Sequence, residues 1–267
     1  MQDITLNSGG KMPTLGLGVY QIPPGKDTES AVITAIELGY RLFDTAAFYK
    51  NERSVGEAIR KSGVSRSEIF ITTKLHPLST INIEKAFDAS LRALGSDYID
   101  LYLIHWPFLG RNRIWRILNR IHQKGDVRAI GVSNFRKRDI EALDGVVPAI
   151  NQVEFHPFLY RKNLLDYSRS KGIVLEAHSP LTHGTRIADH RIQQIASKYG
   201  KSAAQILIRW SLQHGLVVIP KTTSRVQMLE NVSVFDFLIK EEDMATLDAL
   251  NENRHIAGLS RIIGDPA

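Results

Sequence analysis

Eight short apolar runs alternate with amphipathic stretches along this chain, and that alternation leaves few folds open. The first run is KMPTLGLG, closed by Gly16-Leu17-Gly18-Val19-Tyr20. Runs over residues 41–44, 69–74, 98–104, 127–135 and 149–153 follow, then IVLEAHSPL, ending near His178, and LVVIPK, ending at Lys221. Between them, helices are predicted over residues 27–38, 54–61, 82–94, 113–123, around 140–143, over 164–170, in two parts over 191–199 and 203–214, and from 226 to 231. Eight strand-helix units at roughly 25 to 35 residues each predict a (β/α)8 TIM barrel in the α/β class. Ahead of it, ITL and a Gly9-Gly10 turn predict an N-terminal β-hairpin, and residues 241–250 predict an extra C-terminal helix. A doubly wound open sheet is the competing architecture. It fits less well, because Gln21 stands where the third glycine of a dinucleotide fingerprint would fall. No second domain or close repeat is visible, so residues 1–267 read as one domain.

Reactive side chains stand at the ends of consecutive runs. Asp44 ends the second, Lys74 the third, His105 closes DLYLIHW, and Tyr49 follows Asp44 by five residues. In a parallel barrel these C-terminal strand ends meet on one face, where sites are built. A phenol is a poor acid at neutral pH. A neighbouring ammonium lowers its pKa, and a carboxylate beside that ammonium keeps it charged and oriented. An imidazole donates a hydrogen bond to a substrate oxygen. Together the four make a proton donor and an oxyanion clamp suited to carbonyl reduction. A buried Asp–Lys pair tying two strands together explains any one of these residues, but less readily all four at strand ends.

The rim continues with Ser133-Asn134, Gln152, His178-Ser179 and the segment from Lys221 through Thr222 to Ser224. Amides and hydroxyls here can hold a carboxamide such as that of nicotinamide. Lysine and hydroxyls after the eighth strand sit where barrels often bind phosphate, and the helix after Ser224 offers its N-terminal amides. Each of these residues taken alone is also an ordinary turn-capping residue.

Hydrophobic content of 43% and charged content of 23% suit a soluble globular protein. The net charge of +6 comes from scattered basic residues, locally dense at 111–120 and 136–138. They form no nucleic-acid module, and a basic surface attracts an anionic cofactor equally well. With no cysteine there is no disulfide, thiol nucleophile or thiolate metal site. The N-terminus lacks a signal pattern and no run of about 18 apolar residues occurs. A cytoplasmic monomer is expected, binding neither membrane nor nucleic acid.

The motifs GYRLFDTAAFYKNE, TTKLHP, DLYLIHWP, AIGVSNF, NQVEFHP, AHSPL and VIPKT together resemble the aldo-keto reductase superfamily, in its order and over most of the chain. Length and a short C-terminal tail are most similar to its prokaryotic 2,5-diketogluconate-reductase-like branch. The resemblance implies NADPH-dependent reduction of aldehydes, dicarbonyls or ketones on a (β/α)8 barrel without metal or flavin. Tyr49 matches the general acid, Lys74 the group lowering its pKa, Asp44 the support of Lys74, and His105 the residue orienting the carbonyl. Ser133, Asn134 and Gln152 match the holders of the nicotinamide carboxamide. His178, Ser179 and Leu181 of AHSPL match further cofactor-binding positions, and Lys221, Thr222, Ser224, Glu230 and Asn231 match the segment that holds the adenosine end and its 2′-phosphate, with Arg225 beside them as a further cofactor-binding candidate.

Departures from the family pattern bear on specificity. His178 stands where an aromatic ring usually stacks on the nicotinamide. The usual phosphate-binding arginine falls on Gln227, with Arg225 two residues earlier, so use of NADH beside NADPH is open. His76 takes a position often occupied by Trp, and the short PFLGRNRI segment suggests an open pocket. Tyr20, Phe48, His76, Trp106 and Phe108 are expected to line that pocket, although such aromatics also serve in cores. Two other classes fit parts of the pattern: a regulatory cofactor-binding barrel with little turnover, and a metal-dependent barrel using Asp44, His105 and His156.

Overall fold

The computed structural model describes residues 2–79 and 81–256; Met1, Thr80 and the tail from 257 to 267 lie outside the described residues. The chain opens with β1 (Asp3–Thr5) and β2 (Lys11–Pro13), antiparallel, with Ile4 opposite Met12. Gly9 turns this hairpin at φ 85°, a left-handed conformation that glycine adopts without a side-chain clash. Leu6 and Met12 are buried in one apolar cluster with Leu42, Leu101 and Val217, so the hairpin packs onto the strands of the barrel.

Eight parallel strands follow in sequence order: β3 (Leu17–Gly18), β4 (Leu42–Asp44), β5 (Phe70–Leu75), β6 (Ile99–Ile104), β7 (Val127–Ser133), β8 (Ile150–Glu154), β9 (Val174–His178) and β10 (Val217–Val218). The sheet closes on itself between its first and last strands. Leu15 forms a parallel bridge with Val218, the Gly16 N–H donates to the Val218 carbonyl at 2.9 Å, and the Val218 N–H donates to the Thr14 carbonyl at 2.8 Å. The expected (β/α)8 barrel is therefore found, with the hairpin and the extra C-terminal helix. Its first and last strands have only two residues each and are shorter than the apolar runs that predict them.

The helices are α1 (Lys26–Glu37), α2 (Glu52–Ser62), α3 (Ile83–Leu94), α4 (Arg111–Lys124), α5 (Lys137–Glu141), α6 (Lys162–Ser170), α7 (His190–Tyr199), α8 (Ala203–Gln213), α9 (Arg225–Val232) and α10 (Glu241–Asp248). Local sequence explains their ends. Ser202 and Gln205 form a reciprocal capping box at the start of α8, and Gly125 ends α4 in the left-handed conformation. In α4, Ile114, Trp115, Ile117, Leu118 and Ile121 recur on one face and are buried against the barrel. A Cβ at Gly56 would lie 2.0 Å from the Leu94 carbonyl oxygen, so only glycine lets α2 approach the end of α3 this closely.

Every residue of β4, β5, β6 and β8 is buried, because helices cover the outside and side chains fill the inside. The register places Gly18 beside Asp44, and Asp44 beside Thr72. Lys74 follows Thr72 by two residues and so shares its face of the sheet. His105 directly follows β6, so acid, amine and imidazole meet at one end of the barrel.

Candidate active site

Lys74 is wholly buried at the end of β5, and its ammonium is fully engaged. Its Nζ donates to Asp44 Oδ1 at 2.7 Å and Oδ2 at 2.8 Å, to the Thr45 carbonyl at 2.8 Å, and to the Tyr49 hydroxyl at 3.4 Å. Burial is the largest influence and works against the ammonium, but the Asp44 charge, the Asp44 hydrogen bonds and smaller contributions together outweigh it and hold Lys74 protonated above its ordinary range. Tyr49 ends a short 3-10 turn, Ala47–Tyr49, which is closed by Lys50 at φ 60°. Such a backbone is unfavourable for a lysine and is held here by the surrounding structure.

The phenol does not titrate as the sequence reading expects. Burial pushes Tyr49 up to about 12, the Lys74 charge opposes that rise, and the Asp44 charge adds to it. Lys74 therefore moderates the effect of burial and does not bring the phenol below its ordinary value. At neutral pH Tyr49 holds its proton, the form a proton donor needs. An alkoxide is a stronger base than a phenolate, so transfer to a newly formed alkoxide remains downhill.

His105 is buried, with its ring centroid 5.8 Å from that of Tyr49 in an edge-on arrangement. Burial, followed by the Lys74 charge, depresses its pKa well below the ordinary imidazole value. A neutral imidazole carries one N–H, which can hydrogen-bond an oxygen placed between it and Tyr49. Its Nδ1 is buried without a hydrogen-bond partner among the described residues.

Four of the five expected pocket residues surround this pair. Tyr20 lies 4.9 Å from Tyr49 between ring centroids, Phe48 lies 5.5 Å from His76 and 6.3 Å from His105, and Trp106 stacks at 6.3 Å on His105. Tyr20 is 42% exposed and Phe48 44%, so these rings line an open mouth. Phe108 is half-buried, its N–H bonded to the Trp106 carbonyl at 2.8 Å, and stands outside this set of ring contacts. Asn51 fixes the mouth from within. It is buried, accepts from the Thr45 hydroxyl at 2.8 Å, and donates to the Val19 carbonyl at 2.9 Å and the Ile22 carbonyl at 3.2 Å. It thereby ties the loop carrying Tyr20 to the loop carrying Tyr49.

The amide-rich part of the rim joins the same network. Asn134 leaves β7 at φ 63°, a left-handed conformation that asparagine tolerates. It donates through Nδ2 to the His105 carbonyl at 3.2 Å and the Ser133 hydroxyl at 2.9 Å, and its Oδ1 is 3.2 Å from His178 Nε2. His178, half-buried where the resemblance leads one to expect a larger ring, thus braces Asn134; burial depresses it to about 4 and keeps it neutral. Its Nδ1 lies 3.2 Å from the Ser179 hydroxyl, which lies 2.9 Å from the exposed His183. Leu181 is half-buried in the same loop. Gln152 Nε2 donates to Asp44 Oδ2 at 2.7 Å and to Glu176 Oε2 at 2.8 Å, so its amide orientation is set and its carbonyl end is the one offered to a ligand.

The segment after β10 is placed on this rim by barrel closure, the Gly18 N–H donating to the Pro220 carbonyl at 3.1 Å. Lys221 is exposed, and Ser224 caps α9 by accepting from the Gln227 N–H. The Thr222 hydroxyl donates to Gln227 Oε1 at 2.6 Å. Arg225 pairs with Glu37 of α1 at 2.6 Å, with both side chains exposed. Its guanidinium therefore does not stand in the place left by Gln227. Glu230 and the buried Asn231 lie in the last turn of α9.

For a reduced nicotinamide dinucleotide, Ser133, Asn134 and Gln152 could hold the carboxamide: Asn134 is bonded to the His105 carbonyl, and Gln152 to Asp44, the partner of Lys74. At the phosphate end, the residues offer Lys221 and the N–H groups opening α9, without a guanidinium directed there. For a metal, the set is unsuitable: Asp44 is engaged by Lys74, and His156 is buried against Glu154 at 3.2 Å. Among the described residues no three His, Asp or Glu side chains converge as ligands.

Sequence reasoning missed Glu176, Thr45 and Asn51. Glu176 had a signal, because it is a carboxylate inside the apolar run IVLEAH, two residues before His178 and so on the same face. Thr45 and Asn51 act through a mutual side-chain hydrogen bond and through backbone carbonyls, contacts that spacing does not reveal.

Comparison with known proteins gives a consistent picture. The model of the Aldo/keto reductase family matches residues 14–252. The chain is 48% identical over 263 residues to an uncharacterized oxidoreductase, YtbE, of Bacillus subtilis, covering 94% of each chain. It is 45% identical over 261 residues to a glyoxal reductase of the same organism, covering 95% of this chain and 94% of that one. A crystal structure of an aldo/keto reductase from Brucella melitensis superposes with a TM-score of 0.90 at 41% identity, covering 94% of this chain and 99% of the other.

Proposed function

The chain belongs to the aldo/keto reductase family, a family of oxidoreductases acting on carbonyl compounds, and from that premise we propose that it reduces aldehydes, dicarbonyls or ketones to alcohols with Tyr49 as the proton donor. The observation that carries this reading is the Asp44–Lys74–Tyr49 hydrogen-bond chain, buried at Asp44 and Lys74 and half-buried at Tyr49, with neutral His105 facing the phenol.

In this reading the carbonyl oxygen sits between the Tyr49 hydroxyl and the His105 N–H. Both are donors held in fixed positions, and such preorganised hydrogen bonds stabilise developing negative charge. A bound reduced nicotinamide supplies the two electrons and the hydrogen that go to the carbonyl carbon. As negative charge gathers on oxygen, Tyr49 gives up its proton, and Lys74 stabilises the phenolate that remains. Asp44 keeps Lys74 charged throughout. Ser133, Asn134 and Gln152 hold the carboxamide, and His178 keeps the Asn134 amide in place. Tyr20, Phe48, His76 and Trp106 form the walls of a mouth for small or mid-sized carbonyl substrates, with Phe108 at its margin.

Lys221, Thr222, Ser224 and the first turn of α9 hold the adenosine end. NADPH is the preferred cofactor, with NADH also used, because Gln227 replaces the guanidinium that would grip a 2′-phosphate. The pair that holds Arg225 is exposed and worth at most about 1 kcal/mol, so an anion competes for Arg225 readily. We place the protein in the prokaryotic diketogluconate-reductase-like branch, as a cytoplasmic monomer. That a relative 45% identical is named a glyoxal reductase supports dicarbonyls as substrates of this protein. No helix among the described residues is long and apolar enough to cross a membrane.

The test is NADPH oxidation, followed by absorbance, across aldehydes, dicarbonyls and keto-acids and repeated with NADH. Turnover of at least one class supports the reading. Tight NADPH binding with no turnover across the panel would favour a regulatory barrel instead.

A further inference from the structure

Glu176 stands in the middle of β9, wholly buried and on the same face as His178. Its Oε2 accepts from Gln152 Nε2 at 2.8 Å, while the same Nε2 donates to Asp44 Oδ2 at 2.7 Å. Its Oε1 is buried and has no hydrogen-bond partner among the described residues. Two carboxyl groups therefore share one amide, and among the described residues the cation acting on both is Lys74. Lys74 spends its hydrogen bonds on Asp44, Thr45 and Tyr49.

The charged groups acting on Glu176 are Asp44 from β4 and Lys74 from β5; its neighbours in register are uncharged, Gln152 on β8 and Val217 on β10. Two carboxylates served by one ammonium in a buried site do not both ionise at neutral pH, and the one with fewer donors keeps its proton. Asp44 accepts three hydrogen bonds, two of them from an ammonium, and Glu176 accepts one.

We propose that Glu176 is a positioning residue acting as a buried uncharged acid: it holds the Gln152 amide in one orientation and keeps a second negative charge away from the Asp44–Lys74 pair, so that Lys74 acts on the Tyr49 phenol. The effect on turnover rests on the reductase reading above; the protonation state does not. Burial, followed by the Asp44 charge, pushes Glu176 up to about 8, in keeping with the geometry. Above that pH a second negative charge appears beside Lys74, the phenolate of Tyr49 becomes harder to form, and proton donation weakens.

Two readouts on the full chain separate this role from a merely structural one. With carbon-13 in the glutamate carboxyls, NMR between pH 5 and 10 follows each side chain. One resonance should titrate near pH 8 and be missing in Glu176→Gln. In steady state, kcat/KM of the unaltered protein for an aldehyde should fall about tenfold between pH 7 and pH 9, the loss of neutral form set by a midpoint near 8. In Glu176→Gln, which carries a permanent neutral acceptor, that decline should vanish. Glu176→Leu keeps the bulk but loses the acceptor; its NADPH affinity should weaken about tenfold, the loss of one buried hydrogen bond, and Glu176→Gln should recover most of it. The inference is overturned if no glutamate carboxyl titrates near 8, or if the decline survives unchanged in Glu176→Gln. If no carbonyl compound is turned over but the resonance near 8 is present and lost in Glu176→Gln, the buried acid stands and the reductase reading alone fails.

Discussion

Replacing Lys74 with Met removes the one cation at the centre of the site while keeping a side chain of similar length. In the structure this lysine is completely buried and bonds both oxygens of Asp44, the Thr45 carbonyl and the Tyr49 hydroxyl. Without it, Asp44 keeps the single Gln152 donor at 2.7 Å, and that donor is shared with Glu176. Breaking a buried ion pair from one side costs about 3–5 kcal/mol, because the remaining charge is left uncompensated. Against a total stability of about 5–15 kcal/mol, this is a large fraction. For a chain of this length it corresponds to a fall in Tm of roughly 10 °C. The double variant Lys74→Met with Asp44→Asn removes both charges and keeps an acceptor for Gln152, so it should regain at least half of the loss. Urea unfolding at pH 7, followed by circular dichroism, compares the parent, the single variant and the double variant. A single variant within about 1 kcal/mol of the parent, or a double variant no more stable than the single, would refute the claim that Lys74 and Asp44 form a charged, mutually dependent pair.

His178 gives an acid-side signature. Its folded pKa, about 4, lies below the ordinary 6.5, so its contribution to stability is fully present above pH 6.5 and is lost as pH falls through 4. Across that window it amounts to about 3 kcal/mol. In His178→Phe, the fall in Tm between pH 7 and pH 4 should shrink accordingly; an unchanged fall would contradict the burial of a neutral imidazole. Gln227→Arg, measured by fluorescence titration, should tighten NADPH binding relative to NADH by roughly tenfold or more, since a charge-assisted hydrogen bond is gained only with the 2′-phosphate. An unchanged ratio would mean that position 227 does not meet the phosphate.

The barrel could be read from the sequence because its units repeat and its strands are apolar on both faces. β3 and β10 were harder to bound. Each pairs over only two residues, and the closure rests on backbone bonds of Thr14, Gly16 and Val218 that side-chain patterns do not encode. The tetrad was visible because Asp44, Lys74 and His105 end consecutive runs, a periodicity along the chain. The direction of the Tyr49 shift was not. Spacing showed which charge lies nearby, but burial decides the sign, and burial depends on Tyr20, His105 and the loop held by Asn51. Arg225 shows the same limit: two residues from Gln227 in sequence, it turns outward to Glu37 on a different helix. Glu176 escaped notice because a single acidic residue in an apolar run looks like an exception until Gln152 and Asp44 are seen to share its hydrogen bond.

The central claim is that Tyr49 donates the proton, and the most direct test is Tyr49→Phe, assayed in parallel for aldehyde reduction and for NADPH binding. The ring is kept and only the hydroxyl is lost, so Lys74 and Asp44 remain paired and Ser133, Asn134 and Gln152 are untouched. Reduction should fall by at least about a hundredfold, the low end of what a general acid contributes, while NADPH affinity stays within about threefold, the change expected when one weak 3.4 Å contact between Lys74 and the hydroxyl is lost. Turnover close to that of the parent protein would contradict the account.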